Sequence, residues 1–342
     1  MAGEPDEPIP INEEGGDDLQ NVRINVRRRK PGTRLDRFLR SRFPRISRTV
    51  LQRLIRDGDV TVNGRPTKAS YEPAGGDLID VLIPPPPSTD IVPENIPLEI
   101  IYEDDNLIAI NKHTGIICHP SKHCQTGTVV NGLVWYANSL SSGSDVFRPG
   151  IVHRLDKNTT GVMLIAKDDE THWRLAFQFE RRTITKTYLG IVEGRVNLDA
   201  DVIDQPMAEN PHIKSRYIVA NRSINPMFTK QAVTRYEVAE RFKGFTLVRM
   251  YPKTGRTHQL RVHMSSLGHP MLGDTFYGGH LVTERDIAGD DHPETPLFTF
   301  QCLHARRIEF VHPIREEPMV IEAPLPPNFQ HALDLLRQYR RI

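Results

Sequence analysis

The stretch "PPPPSTDIVP", residues 84 to 93, constrains the fold of this chain more than any other. Four consecutive prolines lack backbone donors and have a fixed φ angle, so they suit neither a helix interior nor a central strand. A stiff, extended spacer is expected instead. We therefore predict a Pro-rich linker at 84–97, with a small domain before it and a larger one after it.

The part of the chain before the prolines consists of an acidic segment followed by a basic one. Residues 1–21 carry acidic but no basic side chains and contain several Pro and Gly, which is typical of a disordered tail. Residues 23–68 then hold 15 Lys or Arg against 3 Asp. A solvated surface carries some of this charge without a partner, but so dense an excess favours binding to a polyanion such as nucleic acid.

The basic segment also shows the periodicity of a folded module at 22–83. "TRLDRFLRSRF" and "RTVLQRLIRDG" each place apolar residues at helical spacing, and the second puts Arg48, Arg53 and Arg56 on the opposite side. "VTVNGRP" predicts a hairpin at Asn-Gly, and "DLIDVLIP" predicts another strand. Two helices and a small sheet are expected, in a module near the lower size limit for independent folding.

The segment 98–330 alternates strand-like and helical runs without a regular βαβ repeat. This order favours an α+β domain with a mixed, largely antiparallel sheet. A C-terminal helix is expected at 331–342. No run of eighteen apolar residues is present, so no membrane association is expected and the cytoplasm is the default location.

Cysteine is sparse, and one cluster raises the question of a metal. Cys118, Cys124 and Cys302 are too few for a disulfide framework. "CHPSKHC" places four ligand-type residues in seven positions, at Cys118, His119, His123 and Cys124. Adjacent residues in extended backbone point to opposite sides, and the spacing matches no zinc pattern. An ordinary loop is predicted and no metal.

The segment "GIVHRLDKNTTG", residues 150–161, surrounds Asp156 with basic residues and precedes the strand-like "VMLIA". A loop aspartate beside an arginine is most often a turn residue with a salt bridge. Three later segments change that interpretation. They are "KTYLGIVEG" with Tyr188, "KTGRTHQLRVHMSSLGHPMLGD" with Arg261, and "CLHARR" with Leu303.

In this order the four segments resemble the RluA-type family of pseudouridine synthases, whose signature is HRLD followed by a Thr/Ser-Gly turn. The module before them, with "RLDRFL", "SRTVLQRLIRDGDVTVNG" and "GGDLIDV", is similar to the alpha-L RNA-binding module of a small-subunit ribosomal protein. The likeness runs from about residue 22 to 324. Thr160 stands where Ser is common in the family, and His113 stands where Pro is usual.

The resemblance implies a role for individual residues. Asp156 takes the place of the catalytic carboxylate, Tyr188 that of the tyrosine stacking on the flipped uracil, and Arg261 that of the arginine pairing with the aspartate. Arg154 is expected where the uridine leaves the stack. The remaining expected substrate contacts are His153, Leu155, Thr160 and Leu303. The expected phosphate contacts of the N-terminal module are Arg34, Arg48, Arg53 and Arg56.

The resemblance implies isomerisation of uridine to pseudouridine in RNA, by base flipping and rearrangement of the glycosidic bond. Asp156 can attack the anomeric carbon or remove a sugar proton, and both roles stay open. The reaction involves no redox change, so no cofactor is expected. The expected partner is structured RNA, ribosomal RNA of the large subunit in particular, with no DNA, and the chain is expected to be a monomer. The alternatives are a nucleoside glycosylase and an RNA-binding or ribosome-assembly factor without catalysis.

Two histidines flank Arg261 in sequence. His263 shares a predicted helix stripe with Leu260 and Met264, so it is expected to pack in the core. His258 is expected either to support the site or to cap the helix.

Overall fold

The computed structural model describes residues 20–27, 32–43, 46, 48–83, 91–120, 124–137, 140–141, 148–221 and 224–342. The predicted acidic tail at 1–21 lies outside these residues up to position 19, and so does the proline run at 84–90. Within the described ranges, no helix has the length and apolar character needed to cross a membrane.

The N-terminal module contains the predicted two helices and small sheet. Its elements are β1 (Gln20–Asn25), α1 (Leu35–Arg42), α2 (Arg48–Asp57), β2 (Val60–Val62), β3 (Arg65–Pro66) and β4 (Leu78–Ile83). The strands pair in the order β1-β4-β2-β3. β1 begins before the predicted boundary at residue 22, because Gln20 and Asn21 pair with β4.

Local sequence explains this arrangement. The apolar stripes of α1 and α2 are buried with the inner faces of the strands, including Phe38, Leu51 and Val81. The predicted hairpin turn is present, since Asn63 and Gly64 both have positive φ, as a two-residue turn between β2 and β3 requires.

A buried carboxylate joins the two helices of the module. Asp36 in α1 has no exposed side-chain surface and accepts hydrogen bonds from Arg34, Arg48 and Gln52. Burial opposes its charge, but these three donors outweigh it and lower the pKa of Asp36 to about 2. The ion cluster therefore fixes α2 against the start of α1.

The larger domain is built on one nine-stranded sheet, ordered β5-β6-β7-β14-β8-β13-β12-β9, with β15 paired to β14. Its strands are β5 (Glu99–Glu103), β6 (Leu107–Lys112), β7 (Thr160–Ala166), β8 (Thr185–Glu193), β9 (Ala200–Asp204), β12 (Val233–Phe242), β13 (Phe245–Pro252), β14 (Leu303–Val311) and β15 (Pro318–Glu322). β10 (Met207–Glu209) and β11 (Tyr217–Val219) form a separate hairpin. β7 and β14 pair in parallel, and the other pairs are antiparallel. The predicted α+β class with a mixed, largely antiparallel sheet is confirmed.

Helices cover this sheet. They are α3 (Val129–Tyr136), α4 (Asp169–Arg181), α5 (Gln259–Ser266), α6 (Glu284–Ala288) and α7 (Pro327–Tyr339). α7 begins at Pro327, ahead of the predicted start at 331. Its Phe329, Leu333 and Leu336 belong to the same buried cluster as Ile191 of β8. The terminal helix is thus part of the core of this domain.

The end of the predicted linker also packs on the domain. Ile91 is buried in the cluster that contains residues of α3 and β6. The Asn131 side chain donates a hydrogen bond to the carbonyl of Val92 at 2.9 Å, and the Glu94 N–H donates to the carbonyl of Asn131. The stretch 91–97 therefore lies along α3.

Gly161 lies at the start of β7, directly after the loop that carries Asp156. It has a φ of +112°, and a Cβ atom at this position would collide with the backbone of Ala305 in β14. Both facts require glycine here. The parallel strands β7 and β14 consequently approach more closely at Gly161 than a side chain would allow.

Replacing Asp36 by Asn should weaken the N-terminal module by about 1.5–3 kcal/mol, the range for hydrogen bonds to a charged group. Because the pKa in the folded state lies below the ordinary value of 3.8, the stabilisation is present above that value and is lost as pH falls through about 2. Hydrogen exchange of α1 and α2 in the full chain measures the loss at neutral pH.

Asp57→Asn, at an exposed position in α2, is the matched control and should change protection little. Acid titration of both proteins should show the gap between wild type and Asp36→Asn closing toward pH 2. Equal protection of the two variants at neutral pH would contradict a stabilising role of the cluster.

Candidate active site

The loop carrying Asp156 is held by a buried lysine. Lys112, at the end of β6, donates hydrogen bonds to the carbonyls of His113, Ile116 and Lys157 at 2.8–2.9 Å. Burial lowers the pKa of Lys112 to about 8, while the nearby Cys118 and Asp156 act in the opposite direction. The ammonium group thus ties the residue after Asp156 to the end of β6.

His153 and Leu155 fix the other side of the loop. His153 Nε2 accepts a hydrogen bond from the Leu164 N–H at 2.9 Å, and its ring stacks on Phe179 at 4.7 Å between centroids. Burial, and secondarily the charge of Lys186, lower the pKa of His153 to about 3, so this imidazole is neutral. The Cys118 thiol donates to the carbonyl of Leu155 at 3.1 Å. Asp156 is therefore presented by a loop with little freedom.

Arg261 lies between two carboxylates. Its Nε and Nη2 donate to the two oxygens of Asp274 at 2.6 and 2.7 Å, and its Nη1 lies 3.7 Å from Oδ2 of Asp156. The side chain of Asp274 is 2% exposed and that of Asp156 is 25% exposed. The paired carboxylate holds the guanidinium in place, and the remaining edge faces the carboxylate that a substrate can reach.

Aromatic side chains surround this pair. Tyr188 of β8 is opposite Ala305 of β14 and Met250 of β13. Burial raises the pKa of Tyr188, and the negative charge of Asp156 adds to the shift, so the phenol stays neutral. Arg261 also lies over the ring of Tyr277, 4.8 Å from its centroid.

His258 connects to the same cluster. It precedes α5 with a positive φ of 57° and makes no side-chain cap. Its Nδ1 lies 2.8 Å from the Tyr277 hydroxyl, and burial lowers its pKa. His258 thus supports the site. His263 is fully buried and hydrogen-bonds Thr234 and Gln205, as expected for a core residue.

These groups open into one groove of about 830 Å³. Its lining includes Asp156, Tyr188 and Arg261, so the structure brings the three predicted catalytic residues together. Further lining residues are His153, Arg154, Leu155, Glu180, Arg182, Lys186, Lys253, Gly255, Arg256, Thr257 and Leu303. A cavity of this size accommodates a nucleoside.

The predicted substrate contacts divide into two groups. His153, Arg154, Leu155 and Leu303 line the groove, with Arg154 at the rim donating to the Thr257 hydroxyl at 3.1 Å. Thr160 does not line it. Its hydroxyl lies 2.8 Å from Nδ1 of His304, where β7 meets β14.

The predicted phosphate contacts of the N-terminal module also divide. Arg34 and Arg48 share one ion-pair partner, Asp36, which offsets one of their two positive charges and orients both guanidinium groups. Arg53 and Arg56 are exposed on α2, with Asp57 at 3.6 Å from Arg56. The two groups should therefore contribute differently to RNA binding.

The "CHPSKHC" segment falls partly outside the described ranges, since these exclude His123. Cys118 is buried against the Asp156 loop, and Cys124 donates to the carbonyl of Thr126. In the described residues, no three His, Cys, Asp or Glu side chains cluster in a way that could hold a metal ion.

The fold and this site define a class of protein. A family model described as RNA pseudouridylate synthase matches residues 106–266, and a model of the S4 domain matches residues 33–79. The chain belongs to the RNA pseudouridine synthases, with an S4 domain at its N-terminus.

Individual relatives extend the likeness over most of the chain. An uncharacterised RNA pseudouridine synthase of Bacillus subtilis is 37% identical, over 94% of this chain and 99% of the relative. Ribosomal large subunit pseudouridine synthase D of Pasteurella multocida is 38% identical, over 90% of this chain and 92% of the relative. The structure of human RNA pseudouridylate synthase domain containing 4 aligns with a TM-score of 0.55 and 28% identity, covering 70% of this chain and 93% of that one.

Sequence reasoning missed three residues that organise the site. Asp274 follows Arg261 by thirteen positions in a short turn, where no periodicity distinguishes it from an exposed turn residue. Tyr277 ends the short 3₁₀ helix that follows Asp274. Lys112 is the last residue of β6, a strand of mainly apolar residues. A lysine at the end of such a strand was the feature of the sequence that could have identified it.

Asp274→Asn should lower the rate of the catalysed reaction by roughly tenfold or more, because Arg261 loses the charged partner that orients it. RNA affinity should change little, since Asp274 is buried behind the groove. Single-turnover rates at saturating RNA measure the effect.

Arg261→Met tests whether Asp274 affects the reaction through Arg261. If Asp274 acts through Arg261, adding Asp274→Asn to Arg261→Met should cause no further loss. Fully multiplicative losses in the double variant would show that Asp274 acts independently of Arg261.

Proposed function

We propose that this pseudouridine synthase isomerises specific uridines of ribosomal RNA and that Asp156 is its catalytic carboxylate. The observation that carries the assignment is the placement of Asp156 3.7 Å from Arg261, in a groove that Tyr188 also lines. Relatives named for the large ribosomal subunit, at 38% identity over 90% of the chain, support ribosomal RNA as the substrate.

Base flipping accounts for the shape of the groove. A uridine in folded RNA is extruded at a cost of about a few kcal/mol. Stacking on an aromatic ring returns about 1–3 kcal/mol, and Tyr188 offers a neutral ring at the site. Arg154, exposed where it lines the groove, fills the gap left in the RNA in this proposal.

The chemistry requires a carboxylate beside the sugar. Asp156 acts as nucleophile toward the anomeric carbon or as base toward a sugar proton, the bond between N1 and C1′ breaks, and the uracil turns within the groove. In the first route the bond from Asp156 to C1′ breaks as C5 bonds to C1′, and in the second the sugar proton returns as that bond forms. In both routes the C5 proton is lost while N1 gains one. The proposal involves a monomer acting on RNA, not DNA, without metal or cofactor.

A glycosylase would use a second carboxyl group as acid. Apart from Asp156, the acidic residue that lines the groove is Glu180, whose side chain is 68% exposed. Asp274 is committed to Arg261. The arrangement therefore favours isomerisation over release of the base.

Asp156→Asn should reduce pseudouridine formation by roughly 10³ or more while RNA binding is retained, because only the reacting charge is removed. Incubation with RNA from cells lacking this chain, followed by mass spectrometry of nucleosides, measures product. Asp105→Asn, exposed in a turn, is the control. Isomerisation by Asp156→Asn at the wild-type rate would refute the assignment, and free uracil from the wild type would indicate a glycosylase.

Arg53→Gln and Arg56→Gln should weaken RNA binding uniformly, since exposed guanidinium groups contact phosphates without reading bases. The slope of log affinity against log salt should fall by about 0.9 for each phosphate that is no longer neutralised. Filter binding at several salt concentrations measures this.

Arg337→Gln, on α7, removes the same charge outside the module and should leave the slope unchanged. Arg34→Gln and Arg48→Gln should instead lower the stability of the module, because each breaks the cluster around Asp36. Equal slopes for wild type, Arg53→Gln and Arg56→Gln would contradict a role of this face in RNA binding.

A further inference from the structure

Lys186 is a cation inside the groove to which the proposed chemistry gives no role. It lies in β8 two residues before Tyr188, so both side chains point to the same face of the sheet. Its side chain is half-buried and lines the groove beside Gly255 of the loop before α5.

The ammonium group of Lys186 has no anionic partner among the residues that the structure describes. Its neighbour is the ring of Phe179, whose centroid lies 6.0 Å from Nζ. Burial lowers the pKa of Lys186, and no nearby carboxylate offsets that shift. Lys112 and Arg261, two further buried cations, do have partners: Lys112 donates to three carbonyls, and Arg261 binds Asp274 and faces Asp156.

Removing a cation from water without a counter-ion is costly. Phe179 offsets part of that cost, because the negative face of an aromatic ring attracts a cation. The remaining cost would disappear if a bound molecule supplied negative charge at this point of the groove.

The position of Lys186 indicates which anion that is. Two residues along a strand span about 6.6 Å, which is comparable with the separation between the base and the phosphate of one nucleotide. A base stacked on Tyr188 would therefore have its own backbone phosphate near Nζ. Among the other cations of the groove, Arg182 is exposed at the end of α4, and the Nε of Arg256 donates to the carbonyl of Gln231.

We infer that Lys186 binds a backbone phosphate of the extruded nucleotide and so fixes the position of its sugar beside Asp156. The inference rests on the proposed function, since it assumes an RNA nucleotide in the groove. Lys186 is in this view a substrate-binding residue that distinguishes a nucleotide within a chain from a free nucleoside.

The experiment compares Lys186→Met, Lys186→Arg and Lys243→Met. Methionine keeps the stem that packs on Phe179 and removes the charge, arginine keeps the charge, and Lys243 is exposed in the turn between β12 and β13, away from the groove. The probe is large-subunit ribosomal RNA purified from cells that lack this chain. kcat/KM for pseudouridine formation and the salt dependence of RNA binding are measured.

Lys186→Met should lower kcat/KM by roughly tenfold or more, as expected when a charge-assisted hydrogen bond is removed, and reduce the salt slope by about 0.7–0.9. Lys186→Arg should stay within a few-fold of wild type, and Lys243→Met should match it. The inference is overturned if Lys186→Met has the salt slope of Lys243→Met, or if Lys186→Arg is as defective as Lys186→Met.

The activity of the wild-type protein distinguishes a failure of the proposed function from a failure of the inference about Lys186. Absence of pseudouridine formation by the wild type would refute the proposed function, and the salt slopes alone would then decide whether Lys186 contacts a phosphate. Normal wild-type activity with equal slopes would leave the function intact and refute the inference about Lys186.

Discussion

The active groove depends on one guanidinium group held between two carboxylates. Asp274 binds Arg261 through two hydrogen bonds in a buried position, and the free edge of Arg261 lies 3.7 Å from Asp156. A group anchored in this way needs little reorganisation when charge shifts during a reaction. The distance to Asp156 exceeds a hydrogen bond, so the carboxylate proposed as catalytic keeps its oxygens available for the substrate.

The remainder of the larger domain holds Arg261 and Asp156 at a fixed distance from each other. Arg261 comes from α5, which packs against the β12–β13 side of the sheet through Leu260 and Met264. Asp156 comes from a loop tied to β6 by Lys112 and to β7 by His153. Both anchors are buried polar groups with satisfied hydrogen bonds, which specify one arrangement more strongly than apolar contacts do. The sheet between them therefore sets the geometry of the site.

Hydrophobic periodicity predicted the fold class, and the resemblance to the RluA-type family implied that Asp156, Tyr188 and Arg261 meet. Neither predicted which arginines of the S4 domain pair with a buried carboxylate. Arg34 and Arg48 looked equivalent to Arg53 and Arg56, yet a buried Asp36 pairs with the first two. Asp274 and Thr160 show the same limit, since the partner of a polar side chain depends on packing between segments far apart in the chain.

The glycine at 161 restricts how such a chain can diverge. Its backbone lies directly on Ala305, and the next strand over, β8, carries Tyr188 opposite that same alanine. No atom can be added at this contact without separating the strands, so a side chain at position 161 would move the strand that follows the Asp156 loop. The exposed groove residues Arg154, Arg182 and Lys253 lie outside this contact, so their side chains can be exchanged without moving either strand.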